Sequence, residues 1–260
     1  MKKTLSVVCL VLLFNLVATA QADSLYEKHW LIEKQDTLPY RLLLPENYNP
    51  TVKYPIIVFL HGAGERGGDN EAQLAHGSAM FLNDSVRERF PAFVLFPQCS
   101  KNSYWSNVQV TEDAVKKRNF NFMAGGEPTI AMKLLIQLIE TLKKDYNLDR
   151  NRFYVGGLSM GGMGTFELVN RKSGEYAAAF PICGGANTAT APQLIKTNWW
   201  IFHGLKDDVV PPELSKTMAA AIRAKGGNVK LTLYPEANHN SWDPAFAEKE
   251  LLPWLFSNHK

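Results

Sequence analysis

Residues 152–162, with the sequence RFYVGGLSMGG, decide the fold of this chain. The first four residues are a β-rich run typical of a strand, and residues 163–170 beyond the segment have a helical composition. The pattern G-x-S-x-G, centred on Ser159, lies between them. In a strand–turn–helix unit this pattern presents a serine hydroxyl on a sharp turn, whose flanking positions are too crowded for side chains. Gly157 and Gly161 occupy those positions, so Ser159 is a candidate nucleophile.

The rest of the chain alternates apolar strands with helices. The expected strands are 54–60, 93–96, 152–155, 178–182, 199–202 and 229–234. Residues 128–144 and 211–225 begin with prolines and have helical periodicity or composition. Two extended segments, 25–33 and 40–44, precede this series and predict an antiparallel edge pair. The pattern predicts an α/β fold, with a mostly parallel central sheet flanked by helices, in one domain over residues 23–260.

The first 22 residues differ from the remainder. Lys2 and Lys3 precede an apolar run over residues 5–17, and Ala20-Gln21-Ala22 follows, with no acidic residue in the segment. This order is typical of a signal peptide, whose removal would leave Asp23 at the N-terminus and a secreted or periplasmic protein. An uncleaved membrane anchor is the alternative, although the apolar run is short for a bilayer span.

Charge and cysteine content exclude several classes of protein. Residues 1–22 contain two of the 28 basic residues and none of the 25 acidic residues, so the remainder carries 26 basic and 25 acidic side chains. That balance gives no electrostatic reason to expect nucleic acid or, after signal cleavage, a membrane as partner. Cys99 and Cys183 permit one disulfide but do not form a disulfide scaffold. No spacing of histidines and cysteines indicates a metal site, and no cofactor is expected.

A serine nucleophile needs a base, and the base needs an acid that orients it. In this type of fold the acid and the histidine follow the serine in that order. Of the six histidines, the four at positions 29, 61, 76 and 203 precede the place that this order requires. Of the other two, His259 is the penultimate residue, whereas His239 lies in a turn-rich loop after the last expected strand. His239 is therefore the candidate base. Asp207 and Asp208 follow the strand 199–202, and from the residues alone either could be the acid.

The acyl-transfer intermediate also needs two backbone N–H donors for its oxyanion. The residue after the nucleophile, Met160, supplies one, and the loop after strand 54–60 supplies the other, for which Ala63 is the candidate. Residues 62–67, GAGERG, also match the G-x-G-x-x-G of dinucleotide-binding proteins. That alternative is weak because no helical periodicity begins directly after the loop, as phosphate binding at a helix N-terminus requires.

Together these motifs resemble the phospholipase/carboxylesterase-like and predicted-peptidase branch of the α/β-hydrolases. The resemblance rests on LHGAGERG at 60–67, GLSMGG at 157–162, His203-Gly204 before Asp207 and Val210-Pro211, and His239 with Trp242. It implies Asp207 as the acid and agrees with Ala63 as an oxyanion donor. It also implies that Trp105 lines the pocket, with a place in the core as the alternative, and that Cys99 and Cys183 are not bonded to each other.

The resemblance implies a serine esterase that acts on small-molecule or polymer-linked carboxylic esters. It also implies that cap domains of this fold are inserted between residues 184 and 198, a connection too short for a large cap. Residues 100–127 are expected to set specificity, because loops at strand ends commonly do so. A serine peptidase of the same fold and a non-catalytic periplasmic binding protein remain alternatives. The residues carry no pattern that specifies an oligomeric state.

Overall fold

The computed structural model describes residues 25–114 and 118–260. Eight strands form one sheet in the order β1-β2-β4-β3-β7-β8-β9-β10. The pairs β1–β2 and β2–β4 are antiparallel, and the other pairs are parallel. The strands are β1 Tyr26–Glu33, β2 Asp36–Leu43, β3 Tyr54–Leu60, β4 Phe93–Pro97, β7 Leu148–Leu158, β8 Ala178–Ile182, β9 Asn198–Gly204 and β10 Val229–Tyr234; β5 Val108–Glu112 and β6 Arg118–Phe122 form a separate hairpin.

Helices cover both faces of this sheet. They are α1 Ser78–Leu82, α2 Asp84–Arg89, α3 Ile130–Asp145, α4 Met160–Arg171, α5 Ala191–Leu194, α6 Pro212–Ala224, α7 Trp242–Phe246 and α8 Leu251–Ser257. Thr129 caps α3, since its hydroxyl accepts a hydrogen bond from the N–H of Met132, and Lys143 and Lys144 in the last turn complement the helix dipole. In the described chain, no helix has both the length and the apolar character needed to cross a bilayer.

The core consists of two layers, one on each face of the sheet. Along β3, Ile56, Val58 and Leu60 pack with α3 and α4, whereas Ile57 and Phe59 pack on the opposite face with α8. This alternation is the period-two geometry of a strand. All seven residues of β3 are buried because helices lie on both sides. Each fully buried large apolar side chain contributes about 1.5–3 kcal/mol to folding.

The parallel strands bring the loops that carry the candidate residues to one edge of the sheet. Strands β3, β7, β8 and β9 are parallel neighbours, so the chain leaves all of them at the same end. In open α/β sheets, sites form at that end. The loop after β3, Ser159 after β7, Asp207 after β9 and His239 after β10 therefore converge.

The fold prediction is confirmed. Strands 54–60, 178–182 and 229–234 begin and end at the predicted residues, and the antiparallel edge pair is present as β1 and β2. The loop containing GAGERG enters a three-residue 3-10 turn, Ala63–Glu65, in place of the helix that a dinucleotide-binding loop requires. Residues 184–198 hold only another 3-10 turn and the four-residue α5.

Two further predictions concern cysteines and the N-terminus. Cys99 and Cys183 are both free and buried, as predicted. They follow β4 and β8, which are separated in the sheet by β3 and β7. The predicted signal peptide over residues 1–22 lies outside the described residues. The hairpin β5–β6 was not predicted; each of its five-residue strands has only two apolar residues, and most of the side chains are exposed.

Candidate active site

Ser159 lies on the turn between β7 and α4. Its backbone has φ 55° and ψ −117°, a conformation that L-residues adopt at a cost of roughly 1–3 kcal/mol. The turn is held from both sides, because the Ser159 N–H donates to the carbonyl of Ile182 at 2.9 Å and its carbonyl accepts from the N–H of Met163 at 3.0 Å. Packing of α4 on the sheet compensates for the strain.

The two glycines of G-x-S-x-G are required by crowding. A Cβ on Gly161 would lie 1.9 Å from the carbonyl oxygen of Leu60, and a Cβ on Gly157 would lie 2.5 Å from the carbonyl oxygen of Gly161. Neither backbone oxygen can move without disrupting β3 or α4. The sequence-based reason for these glycines therefore agrees with the contacts in the structure.

The structure brings Ser159, His239 and Asp207 together in one hydrogen-bonded chain. His239 Nε2 is 3.0 Å from Ser159 Oγ, and His239 Nδ1 is 2.9 Å from Asp207 Oδ2. An ionised carboxylate only accepts, so Nδ1 carries the imidazole proton and Nε2 accepts from the serine hydroxyl. Asp208, the alternative acid, is exposed, and its backbone N–H bonds to the side chain of Asn238.

Asp207 has all of its acceptor positions filled. Oδ1 accepts from the N–H groups of Val209 and Val210, both at 2.9 Å, and Oδ2 lies 3.2 Å from His203 Nε2 in addition to its bond with His239. Burial alone would raise the pKa of Asp207, but the hydrogen bonds from His203, His239 and Val210 outweigh it and hold that pKa far below its usual range. The carboxylate is therefore ionised throughout the range in which proteins are stable.

The contribution of His203 to this site was not predicted from the sequence. Its side chain is fully buried; Nδ1 lies 2.7 Å from Ser215 Oγ, and Nε2 lies 2.9 Å from the carbonyl of Val210 as well as near Asp207. Ser215 Oγ lies 3.0 Å from the carbonyl oxygen of Gly184, beyond β8. His203 therefore connects the acid to α6 and β8. The pattern histidine–glycine at a strand end before the aspartate was the available signal.

The candidate oxyanion donors lie on either side of the serine. Met160 is the first residue of α4, so its N–H has no acceptor within the helix. Ala63 begins the 3-10 turn after β3 and follows Gly62, where an added Cβ would lie 3.7 Å from Ser159 Cβ. Both backbone positions therefore adjoin the serine.

His61 holds the loop that carries Ala63. Its Nδ1 is 2.6 Å from the carbonyl oxygen of Gly62, and its Nε2 accepts a hydrogen bond from the N–H of Cys99 at 2.9 Å. Burial lowers the pKa of His61 to about 4, so the ring is neutral at neutral pH and can accept from Cys99. The sequence analysis missed this role too.

Cys183 lies beneath the candidate triad. Its thiol sulfur and the ligand atoms of Asp207 and His239 all lie within 4.8 Å of one another. Burial raises the pKa of the thiol, with a further increase from the charge of Asp207, so the sulfur carries its proton. His239 Nδ1 is already hydrogen-bonded to Asp207, so these two groups are engaged with each other and the protonated thiol lies beside them.

The expected substrate contact of Trp105 is corrected by the structure. Its side chain has 0% exposure, its Cβ lies 2.4 Å from where a Cβ on Gly164 would be, and its ring packs edge-on against His61 at 5.5 Å. Trp105 is therefore a core residue that packs against α4 and not a residue of the pocket surface. The neighbouring Tyr104 instead lines a groove of about 680 Å³ with Arg66 and the start of the β5–β6 hairpin, within the predicted specificity segment.

The sequence of this chain is similar to those of known esterases. Residues 50–249 match the family model described as Phospholipase/Carboxylesterase. A bifunctional acetylxylan esterase/xylanase of Neocallimastix patriciarum is 38% identical over 78 residues, which cover 28% of this chain and 11% of that protein. A probable feruloyl esterase C of Aspergillus oryzae is 22% identical over 196 residues, which cover 75% of this chain and 64% of its own. The chain thus spans less than two thirds of these relatives.

Solved structures give the same fold. A thermostable esterase has a TM-score of 0.82 and 33% identity, covering 92% of this chain and 64% of its own. A ferulic acid esterase from Anaeromyces mucronatus has a TM-score of 0.63 and 13% identity, covering 87% and 89% of the two chains, and so shows the fold alone. Because the family model covers most of the chain, this protein belongs to the phospholipase/carboxylesterase family of α/β-hydrolases.

Proposed function

We propose that this protein is an exported serine esterase that cleaves carboxylic esters through an acyl-enzyme on Ser159. The observation that carries the proposal is the continuous hydrogen-bonded chain from Ser159 through His239 to Asp207. Its two distances, 3.0 and 2.9 Å, lie within the range for proton transfer between a nucleophile, its base and an orienting acid. Family membership supports the same class of reaction.

The geometry supports the following sequence of steps. His239 Nε2 removes the hydroxyl proton as Ser159 Oγ attacks the ester carbonyl, and Asp207 stabilises the imidazolium that forms. The N–H groups of Met160 and Ala63 donate to the oxyanion of the tetrahedral intermediate. The intermediate collapses as His239 gives its proton to the leaving alcohol. Water, deprotonated by His239, then hydrolyses the acyl-enzyme and regenerates the serine.

The substrate is a small-molecule or polymer-linked ester under this proposal. The short connection over residues 184–198 builds no large cap over the serine, so bulky alcohol portions can extend into solvent. The curated relatives are named for acetylxylan and feruloyl esters, which supports polymer-linked esters as one substrate class. We expect bulky alcohols to be accepted and matched amides to be cleaved far more slowly. Values of kcat/KM that favour the amide would instead support the peptidase alternative.

Export is part of the proposal, supported by the composition of residues 1–22. N-terminal sequencing of the exported protein should find Asp23 as the first residue. An exported chain that retains Met1 would contradict the cleavage site.

A fluorophosphonate probe tests the central claim. It should label the native protein and leave Ser159→Ala unlabelled, and the native protein should hydrolyse 4-nitrophenyl esters. A protein that neither reacts with the probe nor cleaves esters would be a binding protein with an idle serine.

A further inference from the structure

The position of His239 defines where the alcohol portion of a substrate lies. The leaving alcohol receives its proton from His239, so it must lie on the histidine side of Ser159. Trp242, three residues beyond His239, packs edge-on against the His239 ring with centroids 5.4 Å apart. The His76 ring also packs against Trp242, with ring centroids 5.2 Å apart. An aromatic surface therefore adjoins the leaving-group side.

A carboxylate lies close to this surface and to the serine. Glu65 Oε2 is 3.0 Å, and Ser159 Cβ 3.7 Å, from the position that a Cβ on Gly62 would occupy. Glu65 Oε1 is 3.9 Å from His76 Nε2, beyond hydrogen-bond range. The Glu65 side chain is 16% exposed and that of His76 38% exposed. Both side chains are thus partly accessible to solvent.

In the described residues 25–114 and 118–260, the partner of the half-buried Glu65 carboxylate is His76, at an ion-pair distance of 3.9 Å, which leaves the carboxylate oxygens able to accept hydrogen bonds from a ligand. A carboxylate at the edge of the cleft accepts hydrogen bonds only, so this position favours a ligand that brings hydroxyl donors. A negative charge this close to Ser159 also repels anionic alcohols. A half-buried tryptophan beside it offers an apolar face for the C–H surface of a ring.

We propose that Glu65, His76 and Trp242 form a leaving-group subsite for a neutral, hydroxyl-rich alcohol such as a sugar ring. In this subsite the ring stacks on Trp242 while its hydroxyls donate to Glu65. The proposal rests on the proposed esterase function, because it assigns one side of that site to the alcohol. It names residues outside the triad as determinants of specificity.

The test uses three acetates that differ only in the alcohol. These are a monoacetate of methyl β-xylopyranoside, cyclohexyl acetate, which has a six-membered ring without hydroxyls, and acetylcholine. We expect Glu65→Met to lower the ratio of kcat/KM for the sugar ester over the cyclohexyl ester by about 10-fold, as loss of a hydrogen bond to a charged group does. Glu65→Gln retains one acceptor oxygen and should lower the ratio less.

Controls separate the subsite from the catalytic proposal. Glu33→Gln, at the end of edge strand β1, should leave the ratio unchanged. Thermal denaturation shows whether Glu65→Met is folded. If it is not, the test uses Glu65→Gln together with competitive inhibition of the native protein by methyl β-xylopyranoside. An unchanged ratio in the Glu65 variants, or a preference for acetylcholine that Glu65→Gln abolishes, would overturn the hydroxyl-rich subsite alone. Absence of both probe labelling and ester cleavage would overturn the esterase proposal as well.

Discussion

His203 Nε2 lies 3.2 Å from Asp207 Oδ2, the same oxygen that accepts the hydrogen bond of His239 Nδ1 at 2.9 Å. Two imidazoles therefore share one carboxylate oxygen, while backbone N–H groups occupy the other. The orientation of Asp207 depends on His203 as much as on its own turn. The polar partners of His203 are Ser215, Val210 and Asp207, so it acts through Asp207 as a positioning residue.

Substitution of His203 should separate hydrogen bonding from packing. His203→Gln can still donate a hydrogen bond to Asp207, whereas His203→Phe fills the space without that bond. We expect the phenylalanine variant to lose about 100-fold in kcat with little change in KM, and the glutamine variant to recover most of that loss. The acidic limb of the pH profile should move to higher pH in His203→Phe only. Equal activity of the two variants would mean that His203 merely fills space.

The choice between the two adjacent aspartates can be tested directly. Ser159→Ala should fold normally and lose ester hydrolysis by about three orders of magnitude or more. Asp207→Asn should approach that loss, because the amide disturbs the tautomer of His239. Asp208→Asn is the matched control and should retain nearly full activity, since Asp208 is exposed and the hydrogen bond with His239 Nδ1 is made by Asp207. Steady-state kinetics on a 4-nitrophenyl ester measure all three, and a reversed order of the aspartates would move the acid to Asp208.

Gly161 should not tolerate a side chain. In Gly161→Ala the new Cβ would meet the Leu60 carbonyl oxygen at 1.9 Å, so α4 must shift away from β3. We expect a destabilisation of about 1–3 kcal/mol or more, together with loss of activity, because the shift displaces Ser159. Gly68→Ala is the control: no atom lies within 4 Å of its added Cβ. Thermal unfolding and probe labelling compare the two, and a stable, labelled Gly161→Ala would show that the turn has room.

His61 should make stability depend on acid pH. Burial lowers the pKa of His61 to about 4, below the unfolded value near 6.5, so between these values the unfolded chain binds the additional proton. Stability therefore falls as pH decreases from about 6.5 to 4, by roughly 3 kcal/mol from this group at most. His61→Gln keeps an acceptor for the N–H of Cys99 but does not titrate.

Thermal unfolding of the native protein and His61→Gln at pH 7 and pH 4.5 measures this contribution. The decrease in Tm between the two pH values should be smaller in the variant by several degrees. An equal decrease in both proteins would assign the acid sensitivity to other groups.

Much of the fold could be predicted because it depends on local patterns. Strands such as β3 and β8 are apolar over their whole length, which is the signature of parallel strands covered on both faces. The turn at Ser159 was predictable because the strand, the G-x-S-x-G pattern and the helix follow one another within residues 152–170. By contrast, each strand of the exposed β5–β6 hairpin has only five residues, two of them apolar, which is a weak signal for a strand. Trp105 could not be assigned to core or pocket without knowing what packs on it.

The sequence by itself determined the chemical groups of the candidate site and their order along the chain, because strand, turn and helix signals act over a few residues. Only the tertiary structure decided which groups meet. The choice of Asp207 over Asp208 depends on a turn at the end of β9 that faces the loop after β10. His203 contacts Ser215, 12 residues further along the chain, and Trp242 contacts His76, 166 residues before it. His203 also contacts Asp207, in the turn that follows its own strand. Such contacts follow from the order of strands in the sheet, which no local pattern encodes.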